Sequence, residues 1–399
     1  MEIVVLDIAH LSFSSAGGAG TVASRLADLQ RAEGHRSWVH SAISGSLWQN
    51  PWRSPLHAAA AGIDHYLVKR SNYPSPISLT RDLLHRRLPD EVAHADVIHV
   101  HWPNGLVALN TLSDLSHHRR VVWTLHDMNP FTGACHYSVG CDCDTSVSGR
   151  CAGVRNLFSG WSATHRAEKK SFFESSPDLR VVSPSHWLAD AAGASAVLRG
   201  RPITVIPNPL PLHLPTIEQA VAWRGELLLG QGPVFVASAS ELSDSLKNIS
   251  TVVDAFEQAF PHDSTARLVL VGNGSVTSTH PGVSALGRVT PEELMKVLAT
   301  ADWFVVASHA ENQPLAISEA QSMGVSLLGA DRTGLPEHLD IDEDGGLFAD
   351  ANELVQLMRS KQETPRTVAQ RKKLMKRART KFSPATVAAS YEEIYLASS

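Results

Sequence analysis

Two series of short, β-branched apolar runs, each alternating with helix-like stretches, flank a proline-rich connector in the middle of this 399-residue chain. Such alternation argues for parallel strands joined by crossover helices, because parallel strands are covered on both faces and read as continuous apolar runs. In the first half, residues 3–8, 37–43, 96–101, 120–125, 179–183 and 203–206 read as strands. A turn is expected at 17–20 and a helix over 21–33. Pro207-Asn208-Pro209-Leu210-Pro211 then makes a stiff, extended connection, since proline disfavours helix in the residue before it. The second series falls at 233–238, 266–271, 303–307 and 325–329. The expected fold class is α/β, with two Rossmann-like domains. One covers 1–210 and is completed by a last helix within 385–399; the other covers 211–384. Ligands of such sheets bind beyond the carboxyl ends of the strands.

Composition narrows the function classes. At 43% hydrophobic the chain can fill two separate cores. A net charge of −5 argues against a general nucleic-acid surface. No run of about 18 uninterrupted apolar residues is present, so no spanning helix is expected. The start, Met1-Glu2-Ile3-Val4-Val5-Leu6-Asp7, reads as a strand and not as a signal peptide, which points to a cytoplasmic protein. The basic stretch Arg371-Lys372-Lys373-Leu374-Met375-Lys376-Arg377-Ala378-Arg379-Thr380-Lys381 reads as a solvated helix face, or as a peripheral contact with anionic lipid at the inner face of the cell membrane. Residues 48–87, rich in Pro and His and weak in periodicity, look like an insertion near an acceptor site.

The most informative local pattern is a strand–loop–helix unit. The apolar run 303–308 reads as a buried strand; Glu311 lies on the loop after it, and Glu319 sits about two turns into the helix 315–323, which Gly324 ends. Backbone N–H groups from Gln313 to Ala316 point forward from the helix start, where phosphate oxygens bind well. One carboxylate on the loop and one on the helix could then grip hydroxyl-bearing groups on either side of a diphosphate. That is the outline of a nucleotide sugar.

Glu311-Asn312-Gln313-Pro314-Leu315-Ala316-Ile317-Ser318-Glu319, continued through Gly334-Leu335-Pro336-Glu337, resembles the signature of the retaining family-4 glycosyltransferases. The resemblance implies a GT-B fold, with two Rossmann-like domains facing across a cleft. It implies that Glu311 contacts the donor sugar and Glu319 the ribose diol, with Asn312, Gln313, Pro314 and Leu315 around the phosphates. Lys247, in Ser240-Glu241-Leu242-Ser243-Asp244-Ser245-Leu246-Lys247, matches the family lysine that neutralises the leaving diphosphate. Many relatives carry an arginine upstream of it, where this chain has Glu241 and Leu242; Arg288 and Arg332 are the candidate substitutes.

Gly272, Asn273 and Gly274, together with the loop at Arg288, match loops that enclose the nucleotide base. Thr290 with Glu293 also makes a capping box, a purely structural reading of that second loop. Gly17 and Gly18, in a cluster after the first strand, match a glycine loop that borders the diphosphate and acceptor. His126, in His126-Asp127-Met128-Asn129-Pro130-Phe131-Thr132-Gly133, resembles a donor-pocket histidine of a bacterial exopolysaccharide, colanic-acid-type branch. His99, His101 and Asn104 end the third strand nearby.

The expected activity is transfer of a sugar from a UDP- or GDP-sugar to a glycan or natural-product hydroxyl, with retention and without a catalytic metal. The alternatives are a nucleotide-sugar-binding protein that has lost catalysis and a UDP-sugar epimerase of the same fold. All four cysteines, Cys135, Cys141, Cys143 and Cys151, fall within one short segment. A structural zinc tetrad, packed thiols and a redox-labile disulfide all suit that clustering.

Overall fold

A computed structural model describes residues 4–43, 55–67, 75–79, 87–146, 148–151, 153–155, 158–226, 232–261, 265–362 and 366–397. Much of the insertion read at 48–87 lies outside the described residues. The chain forms two compact units, Met1–Leu212 with Pro384–Ser399, and His213–Ser383. Among the described residues no helix is long and apolar enough to cross a membrane.

The first unit is built on six parallel strands: β1 (Asp7–Ser12), β2 (Arg36–His40), β3 (Val97–Trp102), β4 (Arg120–Thr124), β5 (Arg180–Ser183) and β6 (Ile203–Val205). Their order is β2-β1-β3-β4-β5-β6, so the direction of strand addition reverses between β1 and β3. Ala9, Leu11, Ile98, Val100, Val121, Trp123 and Val181 fill its core. The helix Pro384–Leu396 belongs to this unit and packs against Gly17–Ala32.

The second unit repeats the plan with β7 (Val234–Glu241), β8 (Arg267–Asn273), β9 (Val283–Ala285), β10 (Trp303–Val306), β11 (Ser326–Ala330) and β12 (Gly346–Phe348). The order is β12-β11-β10-β7-β8-β9, all parallel, and the reversal lies between β10 and β7. A crevice forms beyond the strand ends at such a reversal, and this is where ligands bind in open α/β sheets.

The structure corrects several boundaries. The first strand begins at Asp7, not at residue 3; Val4 and Val5 are more than half exposed, and pairing with β3 starts only at Ile8. The helix expected from residue 21 begins at Gly17, so the glycine cluster is its first turn and not a separate loop. The edge strands β9 and β12 add to the expected set. Each is three residues long, too short to carry a period.

The basic stretch forms the helix Val368–Lys381, and most of its charges are engaged within the second unit. Arg371 is buried and donates to the carbonyls of Ala301 and Ala299 at 2.6 and 2.8 Å. Arg379 donates to Ser322 O, Lys381 to Glu337 O, and Lys373 and Arg377 pair with Glu343. Only part of the run is left for solvent or a surface.

Candidate nucleotide-sugar site

In the second unit, Lys247 follows β7 and Glu311 follows β10, the two strands that flank the reversal. Topology thus brings together residues 64 positions apart, and the Lys247 ammonium lies 2.6 Å from Glu311 Oε1. Each partner is held from behind. Asp244 accepts from the Leu246 N–H at 2.8 Å through its side chain and from the Lys247 N–H at 3.1 Å through its carbonyl. Ser308 Oγ donates to Glu311 Oε1 at 2.8 Å, and Thr333 Oγ1 accepts from the Glu311 N–H at 2.9 Å. Burial opposes the charge on Lys247, but the charge of Glu311 and its hydrogen bond outweigh that and hold the ammonium above its ordinary pKa.

Backbone strain concentrates here. Among the described residues two non-glycine residues have positive φ, Asn248 at 52° and Thr333 at 55°. One follows Lys247 and the other touches Glu311. A β-branched residue in the left-handed region is costly, on the order of 1–3 kcal/mol, and such outliers cluster at functional sites. Gly334 explains how the Thr333 segment comes so close: a Cβ there would stand 1.9 Å from Asn312 O. Neither feature has a local sequence signal.

Glu319 is buried in the second turn of Leu315–Ser322. The N-cap of that helix is Pro314, which offers no side-chain acceptor to the first N–H groups. Asn312 and Gln313 are buried on the loop before it. Gly272 and Asn273 end β8, with Gly274 after them. The Gly272 N–H donates to Gly287 O at 3.0 Å, and the Asn273 amide donates to Glu241 at 3.1 Å. Asn273 therefore braces the end of β7 with its side chain. Arg288 is exposed, and the capping box of Thr290 and Glu293 is formed. Arg332 sits one residue from Thr333 and is close enough to His309 to help burial lower that imidazole's pKa. Of the two candidate substitute cations, Arg332 adjoins the Glu311 loop.

In the first unit the site residues also gather at the reversal. Gly17 and Gly18 leave open space where a Cβ would stand; Gly20 is the closely packed one, its Cβ position 2.3 Å from Ser14 O. His126, just after β4, belongs to a buried chain of hydrogen bonds. Gln30 Oε1 meets His10 Nε2 at 2.7 Å, His10 Nδ1 meets His101 Nε2 at 3.0 Å, and His101 Nδ1 meets His126 Nε2 at 2.9 Å. Burial pushes His10 and His126 down to about 4 and His99 and His101 well below their ordinary value, so all four rings are neutral at pH 7.

A neutral ring donates from one nitrogen only. Because Gln30 Oε1 can only accept, protons sit on Nε2 of His10, His101 and His126 in turn, and Nδ1 of His126 is an acceptor. A second branch runs from the Gln30 amide to Tyr395 Oη, on to His99, and from His99 to Thr124. His10, His99 and His101 lie within metal-ligating distance of one another, but all six of their ring nitrogens already serve these hydrogen bonds. Sequence reasoning misses Gln30, Thr124 and Tyr395, since nothing local marks a buried glutamine on a helix as the orienting group.

The first unit matches the family described as Glycosyltransferase Family 4 over residues 16–214, and the second matches Glycosyl transferases group 1 over residues 232–360. The chain belongs to glycosyltransferase family 4. The family-4 chain is 25% identical over 276 residues to the putative colanic acid biosynthesis glycosyl transferase WcaC of Escherichia coli (strain K12). That match covers 67% of this chain and 66% of the relative, so the chain spans about two thirds of the curated protein it matches. Its fold is similar to that of the sucrose-phosphate synthase from Thermosynechococcus elongatus, with TM-score 0.61, 18% identity, and 97% and 98% of the two chains covered. It is likewise similar to Anabaena HepE, solved in complex with UDP and glucose, with TM-score 0.60, 17% identity, and 97% and 98% covered. These likenesses show the fold of this family-4 chain to be GT-B.

The four cysteines of the family-4 chain converge. Cys135 and Cys151 form a disulfide, and Cys141 and Cys143 lie beside it with their sulfurs 3.2 Å apart. The sequence alone leaves tetrad, thiols and disulfide open; the structure has one disulfide with two further sulfurs against it.

Proposed function

We propose that the protein transfers a sugar from a UDP- or GDP-sugar to an acceptor hydroxyl, with retention at the anomeric carbon, in the assembly of a surface polysaccharide or a natural-product glycoside. The observation that carries this reading is the Lys247–Glu311 pair at the sheet reversal, beside a helix start whose N-cap supplies no side-chain acceptor. An ammonium has three donors, so Lys247 can keep Glu311 oriented while meeting a phosphate oxygen. With the N–H groups at the start of Leu315–Ser322 it would stabilise the departing diphosphate. Glu311 would hold the donor sugar and Glu319 the ribose diol, with the Gly272–Gly274 and Arg288 loops about the base. Arg332 serves as the second cation in place of the missing upstream arginine. In the first unit, His126 hydrogen-bonds a sugar hydroxyl as a neutral imidazole, and Gly17 and Gly18 border the acceptor.

The chemistry balances without a protein base. The bond from the anomeric carbon to the diphosphate oxygen breaks, the acceptor oxygen bonds to the same face, and the acceptor proton passes to the departing diphosphate. The colanic-acid description of WcaC and the UDP and glucose bound to HepE support the polysaccharide setting and the nucleotide-sugar donor.

Calorimetry tests the donor site. Glu319→Ala would leave ribose hydroxyls unpaired and should weaken UDP or GDP binding by about 1–3 kcal/mol. Undiminished affinity for both nucleotides would remove Glu319 from the site. Transfer to an acceptor, rather than bare binding or conversion of the donor to another sugar, separates this reading from an inactive binder and from an epimerase.

A further inference from the structure

The segment between Cys135 and Cys151 does more than connect. Cys135, Cys143 and Cys151 are buried in a small core with Leu67, Ile77 and Leu79, and Cys141 is packed against it. These are all the cysteines of the chain. Their sulfurs make one continuous cluster: Cys141 to Cys143 is 3.2 Å, Cys143 to Cys135 is 4.0 Å, and Cys135 is bonded to Cys151. A tetrahedral zinc with Zn–S of about 2.3 Å sets its ligand sulfurs about 3.8 Å apart, the scale seen here between the unbonded sulfurs. Arg166 brings a guanidinium to the same place, donating to Cys143 O at 3.0 Å and Ser146 O at 2.6 Å. Four thiolates around zinc carry two net negative charges, and a buried guanidinium nearby offsets them.

We propose that Cys135, Cys141, Cys143 and Cys151 form a tetrathiolate zinc site when the Cys135–Cys151 disulfide is reduced. A dithiol reductant delivers two electrons and two protons to the disulfide and is itself oxidised to a disulfide. Zinc then displaces four protons from four thiols. The site clamps the wall that follows His126. Cys135 bridges to Ile77; the next residue, His136, bonds Asp127 at 2.6 Å and accepts from the Met128 N–H at 2.9 Å. Fixing Cys135 therefore fixes the segment on which Asp127 and Met128 stand. The zinc site rests on the cysteine geometry alone and holds whether or not the sugar-transfer reading does.

The test is metal analysis of the full chain, purified without a tag, under a thiol reductant and with no added metal. About one equivalent of zinc per chain is expected. Exchange into cobalt should give the sulfur-to-metal charge-transfer absorption of a thiolate site, and the Cys141→Ser, Cys143→Ser double variant should lose both. Because that variant could misfold, the wild-type protein decides. Zinc below about a tenth of an equivalent overturns the proposal. So does a cobalt spectrum lacking sulfur charge transfer.

Discussion

Lys247 carries the sharpest consequence among single residues. Its ammonium is fixed 2.6 Å from Glu311; the left-handed Asn248 follows it, and the left-handed Thr333 holds the Glu311 N–H. In the proposed role this charge faces a diphosphate that gains negative charge as its bond to the anomeric carbon breaks, so it acts more on the transition state than on the bound donor. Lys247→Ala should therefore reduce turnover by a factor on the order of 10² or more, with a smaller loss of donor affinity. Steady-state kinetics beside calorimetry would separate the two. Unchanged turnover, or an effect confined to binding, would refute the role. Much of this site is legible in the sequence, because Lys247, Glu311 and Glu319 lie in motifs with fixed spacing. The contact between Lys247 and Glu311 is not, since it depends on β7 and β10 being neighbours. Nor is the left-handed Thr333, because side-chain chemistry gives no warning of a φ that tertiary packing imposes.

Among the elements, the buried histidine chain joins β1, β3 and the loop after β4 to the helices Gly17–Ala32 and Pro384–Leu396. It makes stability depend on pH with a defined sign. His10 and His126 titrate near 4 in the folded protein, against 6.5 for an ordinary solvated imidazole, with burial as the cause. Between those values the unfolded chain binds more protons, so stability is complete above about pH 6.5 and falls as the pH drops toward 4. Each such ring contributes a slope of up to about 1.4 kcal/mol per pH unit. Urea unfolding at pH 7.5 and pH 5 should show the loss, and a variant with His10→Gln and His101→Gln should lose less over that interval. Equal stability of the wild-type protein at both pH values would contradict the neutral network. The strands bearing these histidines can be read from their apolar runs. The network cannot, because it is made by Gln30, Thr124 and Tyr395, which reach one another only through the fold. The three-residue edge strands escape for a simpler reason, having too few positions to show alternation.

Over the whole molecule, each of the two units places its candidate residues at the reversal of its own sheet. That placement follows from topology, and the two-series pattern of the sequence anticipates it. The proline-rich stretch 207–211 is equally plain, lying just before the unit boundary at Leu212. In the proposed reaction the second unit would neutralise the diphosphate of a nucleotide sugar, and the acceptor would attack on the face the diphosphate leaves. Proton NMR of the first-formed product from an α-linked nucleotide sugar, read before the anomers equilibrate, is the deciding measurement. An α-linked product is predicted, and its yield should collapse in Lys247→Ala. A β-linked first product would contradict retention and with it the roles given to Lys247 and Glu311.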